Sequence, residues 1–83
     1  MTNETPALPI WAALSDPKRR QILQLLQEKA RTTSELCAHF DVSRFAVMKH
    51  LNVLEEAGLI RVERQGRQRW NLLNEAALRQ LPL

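Results

Sequence analysis

The sequence predicts a mainly α-helical domain closed by a small β-hairpin. Three observations carry that expectation. Apolar residues recur at helical spacing through the first two-thirds of the chain, and helix-capping residues punctuate them. Two short alternating runs then follow, parted by a turn that holds one of only two glycines. The chain has 83 residues, so it is long enough for one small domain.

The first element is Ile10–Leu14, IWAAL, an unrelieved apolar run that reads as a short buried helix. Residues 1–9 carry Pro6 and Pro9 and read as a flexible arm before a domain over 10–83. Ser15-Asp16-Pro17 announces a second helix, with a capping side chain ahead of a proline at the first turn. It runs to about Glu28, with Ile22, Leu25 and Leu26 on one face and Leu23 at its flank.

Thr32–Glu35 is a T-x-x-E capping box that opens a third helix, with Leu36 and Phe40 as its apolar stripe. Asp41-Val42 makes a tight connection, and Ser43 caps a fourth helix whose buried side is Val47, Leu51 and Leu54. Gly58 suits a left-handed helix terminus. Two helices so joined, over about residues 32–57, form the helix-turn-helix pattern.

The hairpin spans about 59–73. Ile60 and Val62 alternate, as do Trp70 and Leu72. A three-residue loop, Arg64-Gln65-Gly66, would set Ile60 opposite Trp70 and bring all four apolar side chains to one face. A two-residue Gln65-Gly66 loop would split them, so parity predicts the longer loop. Residues 74–81 have helix propensity and about two turns of length, which is marginal in isolation. The whole order is a winged helix-turn-helix.

Composition narrows the function. The formal net charge is +3, from 12 Lys and Arg against 9 Asp and Glu, which leans toward an anionic partner. Cys37 is the sole cysteine, so no internal disulfide is available. No apolar run approaches the ~18–20 residues that span a bilayer, and the start lacks the basic and apolar regions of a secretory signal. These features place the chain in the cytoplasm. No catalytic constellation stands out, and both glycines are spent on turns, so a nucleotide-cradling loop is excluded.

On the fourth helix, Phe45, Lys49, Asn52 and Glu56 lie nearly opposite the buried stripe, at about 100° per residue, and Met48 lies on its flank. Phe45 falls about 160° from Val47 and cannot join the core stripe. An apolar ring there suits a thymine methyl in a major groove, with packing across the turn against the third helix as the alternative. Ser43 caps the helix end that favours a phosphate. Arg44 and Lys49 can each reach phosphate or guanine.

In the hairpin, Arg61, Arg64, Arg67 and Arg69 crowd nine residues with Glu63 the only acid among them. Arg67 and Arg69 share a face and are expected to point outward together. DNA contact is expected for Arg64, Arg67 and Arg69, against the alternative of a charge-protected edge strand. Lys18-Arg19-Arg20 opposes the dipole of the second helix, and solvation or use between subunits is favoured over phosphate contact. His50, about 60° from Val47, reads as a half-buried imidazole bonded to backbone, or as a proton-sensitive DNA contact. Cys37 and His39 point about 200° apart and cannot share one ion, so no metal site and no cofactor are expected. Trp11 has little room to be buried in so small a body and is expected near a twofold axis.

ALSDPKRRQILQLL, TTSELCAHFDVSRFAVMKHLNVLEEAGLI and RVERQGRQRWNLL together resemble the ArsR/SmtB-type bacterial transcriptional regulators, from about Trp11 to Leu73. The resemblance implies a homodimeric repressor on an imperfect inverted repeat. It implies that Arg44, Phe45, Met48 and Lys49 touch the major groove. It also implies that the first and last helices build the dimer, through Ile10, Trp11, Leu14, Leu78 and Leu81. Metal-sensing members often carry C-x-C-x-x-C at the third helix. Here Thr32 and Ser34 fill the first two positions and only Cys37 remains, and residues 74–83 contain neither Asp nor His. The chain therefore resembles the autorepressor-like subgroup without metal boxes. The partners expected are double-stranded DNA and a second copy, with no membrane and with the effector unknown. Two other readings stay open: a winged-helix module for protein contacts, and a ligand- or redox-gated sensor.

Overall fold

The computed structural model describes residues 9–79. The elements are α1 (Ile10–Ala13), α2 (Pro17–Glu28), β1 (Arg31–Thr32), α3 (Thr33–Cys37), α4 (Arg44–Glu56), β2 (Ile60–Gln65), β3 (Gln68–Leu73) and α5 (Glu75–Leu78). The arm expected over 1–9, Pro9 apart, lies outside the described residues, as does Leu81. Leu78 is the last residue of α5.

Three helix starts form as their side chains require. Asp16 accepts from the N–H groups of Lys18 (2.8 Å) and Arg19 (3.3 Å). Thr32 and Glu35 make both halves of the capping box, at 3.1 and 2.8 Å. Ser43 Oγ accepts from Ala46 N–H at 3.1 Å. Each bond satisfies a donor that a helix's first turn leaves without an internal partner. α3 stops at Cys37, short of the Phe40 expected, because the chain tightens there. The N–H groups of His39 and Phe40 turn back three residues, to Leu36 and Cys37.

The end of α4 is a full Schellman closure. Gly58 has φ +77°. Its N–H donates to Glu55 O, and Leu59 N–H donates to Leu54 O, both at 2.9 Å. Leu54 and Leu59 are both fully buried, so the closure also delivers an apolar pair to the core. That core joins Ile22, Leu23 and Leu26 of α2, Leu36 of α3, Val47, Leu51 and Leu54 of α4, and Leu59 and Ile60.

The hairpin register differs from the one expected. Ile60 pairs with Leu73, Val62 with Asn71, and Gln65 with Gln68. The loop is therefore Gly66-Arg67, two residues long. Gly66 alone has positive φ, at +60°, as a tight hairpin turn with glycine at its first central position demands. Ile60, Val62, Asn71 and Leu73 share the face toward the body, while Trp70 and Leu72 lie on the other face. The apolar-pair argument failed because a polar residue takes a core place. Asn71 is fully buried, and its Nδ2 donates to Arg31 O and Thr33 Oγ1, both at 3.2 Å.

Those same bonds hold the strand that the sequence reading did not contain. β1 pairs antiparallel with β3, Arg31 with Asn71 and Thr32 with Trp70, giving the sheet order β1-β3-β2. At the far end Asn74 ties the sheet to α4. Its N–H donates to Leu59 O at 2.9 Å and its Nδ2 to Gly58 O at 2.8 Å. That use of the side chain leaves α5 without a side-chain cap.

Candidate nucleic-acid interface

The buried stripe of α4 aims its opposite side outward. Val47, Leu51 and Leu54 are sealed in the core, whereas Phe45 is 73% exposed. Phe45 therefore does not pack on α3, which removes that alternative. Lys49 Nζ stands 5.7 Å from the Phe45 ring centroid, within range of a cation–π contact. Phe45 and Lys49 thus present one ring-and-cation unit on the outer face. Arg44 leans across the turn, and its Nη1 donates to Ser34 Oγ at 3.3 Å. Ser43 is exposed beside it.

The wing arginines divide. Arg64 and Arg67 are exposed, Arg67 in the turn itself. Arg69 is not outward-facing as expected: its side chain is only 12% exposed. Its Nη2 donates to Glu55 Oε1 at 3.4 Å and its Nη1 to Met48 Sδ at 3.6 Å. The cause is the register. Arg69 pairs with Arg64 on the same face as Val62 and Asn71, which is the face that lies against α4. Met48 and Glu55 are seven residues apart and so share one stripe of α4. The sequence placed Met48 on the flank of this helix; its partner in the wing was not legible, because the register decides it. Arg61 sits on the opposite face and pairs with Glu63 at 3.3 Å.

Helix and wing residues border one open groove of about 310 Å³. Ser34, Arg44, Met48, Arg64, Arg67 and Arg69 line it. Four guanidinium groups around one concavity, with a hydroxyl between them, suit a polyanion's phosphates.

The basic run on α2 has a different use. Arg19 Nε donates to Ala13 O at 2.7 Å and its Nη2 to Ala12 O at 3.3 Å. Arg20 Nη1 donates to Leu14 O at 2.8 Å. The two guanidinium groups thus satisfy carbonyls at the end of α1; Arg19 is half-buried there, while Arg20 stays exposed, as the solvated role favoured from sequence has it. His50 is half-buried as expected, but its partner is a side chain: Arg19 Nη1 donates to His50 Nδ1 at 3.4 Å. Asp16 completes the group, 4.0 Å from the Arg19 guanidinium. Burial pushes the Asp16 carboxyl up, yet it sits below its ordinary value. The Lys18 and Arg19 N–H donors outweigh burial, helped by the charge of Arg19. The Glu35 carboxyl is likewise held down, foremost by the Thr32 N–H of the capping box.

On α1, Ala13 is buried and Ile10 and Leu14 pack partly against the core. Trp11 is 76% exposed. Cys37 is half-buried against the core, while His39 is exposed. Among the described residues no three His, Cys, Asp or Glu side chains gather as a metal site would need.

The arrangement has known counterparts. A helix-turn-helix domain family matches residues 14–63. The transcriptional repressor SdpR of Bacillus subtilis (strain 168) is 36% identical over 69 residues, covering 83% of this chain and 77% of that protein. The crystal structure of the ArsR family transcriptional regulator RHA00566 superposes with a TM-score of 0.76 at 38% identity, over 86% of each chain. The chain belongs to the ArsR family of winged helix-turn-helix transcriptional regulators. A second solved structure, of a possible transcriptional regulator for arsenical resistance, gives a TM-score of 0.85 at 40% identity. It covers 90% of this chain and 78% of its own. As an ArsR family member, the chain is a DNA-binding regulator of transcription, and its relatives are regulators, not enzymes. Among the described residues no helix is long and apolar enough to cross a membrane.

Proposed function

We propose that this ArsR family chain is a cytoplasmic repressor that binds an inverted-repeat operator as a homodimer. Each α4 enters a major groove, and each wing follows the flanking backbone. The half-sites lie about one helical turn, ~34–36 Å, apart. The observation that carries the reading is the shared groove, where Arg44 of α4 meets Arg64, Arg67 and Arg69 of the wing.

The division of labour follows from exposure. Phe45 and Lys49 stand outermost on α4 and read base edges, the ring on a thymine methyl and the ammonium on an adjacent guanine. Arg44, Arg64 and Arg67 hold phosphates, and Ser43 keeps the first turn of α4 in shape for them. Arg69 and Met48 seat the wing on the helix. The exposed Trp11 supports a dimer seam built by α1 with Ile10 and Leu14, joined by Leu78 and Leu81 from the C-terminal segment.

Selection of bound sequences from random duplex DNA with the purified protein tests the proposal. The expected product is a pair of inverted half-sites at that spacing. Recovery of single, unpaired half-sites would remove the dimeric mode, and no enrichment at all would favour a module for protein contacts.

A further inference from the structure

The Arg19 guanidinium is the only described side chain that touches both α1 and the DNA-reading helix through hydrogen bonds. Two of its nitrogens hold the Ala12 and Ala13 carbonyls, and the third donates to His50 Nδ1 on α4. The third bond sets a condition. A guanidinium has no acceptor and is always charged, so His50 Nδ1 must be the acceptor and carry no proton. The imidazole is then neutral, with its hydrogen on Nε2. We propose that Arg19 is a positioning residue for DNA reading: through neutral His50 it fixes α4 against the end of α1, and protonation of His50 releases that link and weakens DNA binding. The inference rests on the base-reading role proposed for α4.

The groups that face His50 define the switch. From α2 come Arg19 and, behind it, the Asp16 carboxylate. α1 contributes carbonyl oxygens and no charged side chain, since it reads IWAA. On α4 the residues three and four positions away are Ala46, Val47, Val53 and Leu54, none of them ionisable. Protonation removes the acceptor and sets a cation beside the guanidinium. The new imidazolium turns toward Asp16, and the seat of α4 on α1 loosens.

The expected sign is opposite to the generic one. Acidification adds positive charge to the protein and by itself tightens DNA binding. The link predicts a weakening by about 5- to 10-fold between pH 7.5 and 5.5, within the usual span of coupling between two sites.

The test measures affinity against pH for the duplex that the protein itself selects, with the wild type, His50→Gln and Arg19→Gln. Gln at 50 keeps an acceptor for Arg19 and cannot be protonated. It should bind as the wild type does at pH 7.5 and hold that affinity at pH 5.5. Arg19→Gln should bind weakly at both. An equal fall in the wild type and His50→Gln overturns the inference, as does a wild-type profile that rises on acidification. A merely structural Arg19 would lower Tm yet leave the pH profile intact, which also overturns it.

A second readout needs no DNA. ¹⁵N NMR of the free protein should show His50 protonated on Nε2 alone at pH 7.5. The Trp11 indole signal should follow the His50 titration in the wild type and ignore it in Arg19→Gln. Should His50→Gln fold poorly, this titration and the Arg19→Gln profile decide. Should selection return no DNA, the NMR result still tests the link, so the two failures are told apart.

Discussion

Arg19 and Arg67 are the same residue type in two arginine-rich runs, yet they do opposite things. Arg19 is half-buried and spends its donors on Ala12, Ala13 and His50. Arg67 sits exposed in a turn, in a groove with other guanidinium groups. Arg69 lies between these extremes, bonded to Glu55 and Met48 but still lining the groove. The difference teaches that a cation's availability depends on whether carbonyls or carboxylates lie within its reach. Charge density along the chain does not reveal this.

The largest test of the division is salt. If the groove and α4 neutralise roughly six to ten phosphates per dimer, affinity should fall ~10³–10⁵-fold between 50 and 200 mM salt. Fluorescence anisotropy on the selected duplex reads this directly, and a flat response would erase the role given to the wing. Next, Arg19→Ala should cost about 2 kcal/mol of folding stability in urea titrations, because the Ala13 carbonyl loses its charged donor, while Ser15 still serves Ala12. Its salt slope should stay as in the wild type; a shallower slope would move Arg19 to the phosphate side.

Arg67→Ala should do the reverse. Folding should change by no more than about 0.5 kcal/mol, while the salt slope flattens by about 0.9 for the lost phosphate contact. Phe45→Ala, at an exposed site, should leave Tm in place and cost about 1 kcal/mol of preference for one T·A pair, roughly the worth of a buried methyl. Early melting with sequence preference unaltered would return Phe45 to a packing role.

Acid gives the smallest effect and touches only the Arg19 side. The Asp16 carboxyl is held below its ordinary value in the folded protein. Its contribution is therefore present above the unfolded carboxylate value and is lost as pH falls through the folded one. Asp16→Asn should thus melt earlier than the wild type at pH 7, with the gap closing on acidification below the ordinary carboxylate range.

Much of this was legible in the chain. The caps at Asp16, Thr32 and Ser43, the glycine closure at Gly58 and the buried stripe of α4 all formed as local chemistry requires, because each depends on residues a few positions apart. What failed depends on distant pairings. Parity chose the wrong loop because Asn71 was counted as an outward residue, whereas two partners from β1 and α3 make its burial tolerable. β1 itself is two residues long and has no pattern to read. The buried place of Arg69 followed from that same register. The outward face of α4 was the legible part of the candidate site, and the seating of the wing was the illegible part.

The Asn71 bonds also bear on engineering. A wing invites treatment as a detachable cassette, exchanged between relatives to graft new flanking preferences. Here β3 carries the amide that β1 and Thr33 require, and the guanidinium that Glu55 and Met48 receive. A chimera that imports only a foreign hairpin would leave those hosts without guests. Modular exchange in this protein must therefore move five positions as a set: Thr33 and Asn71, and Met48 and Glu55 with Arg69; the Arg31 partner is a backbone carbonyl that any residue supplies.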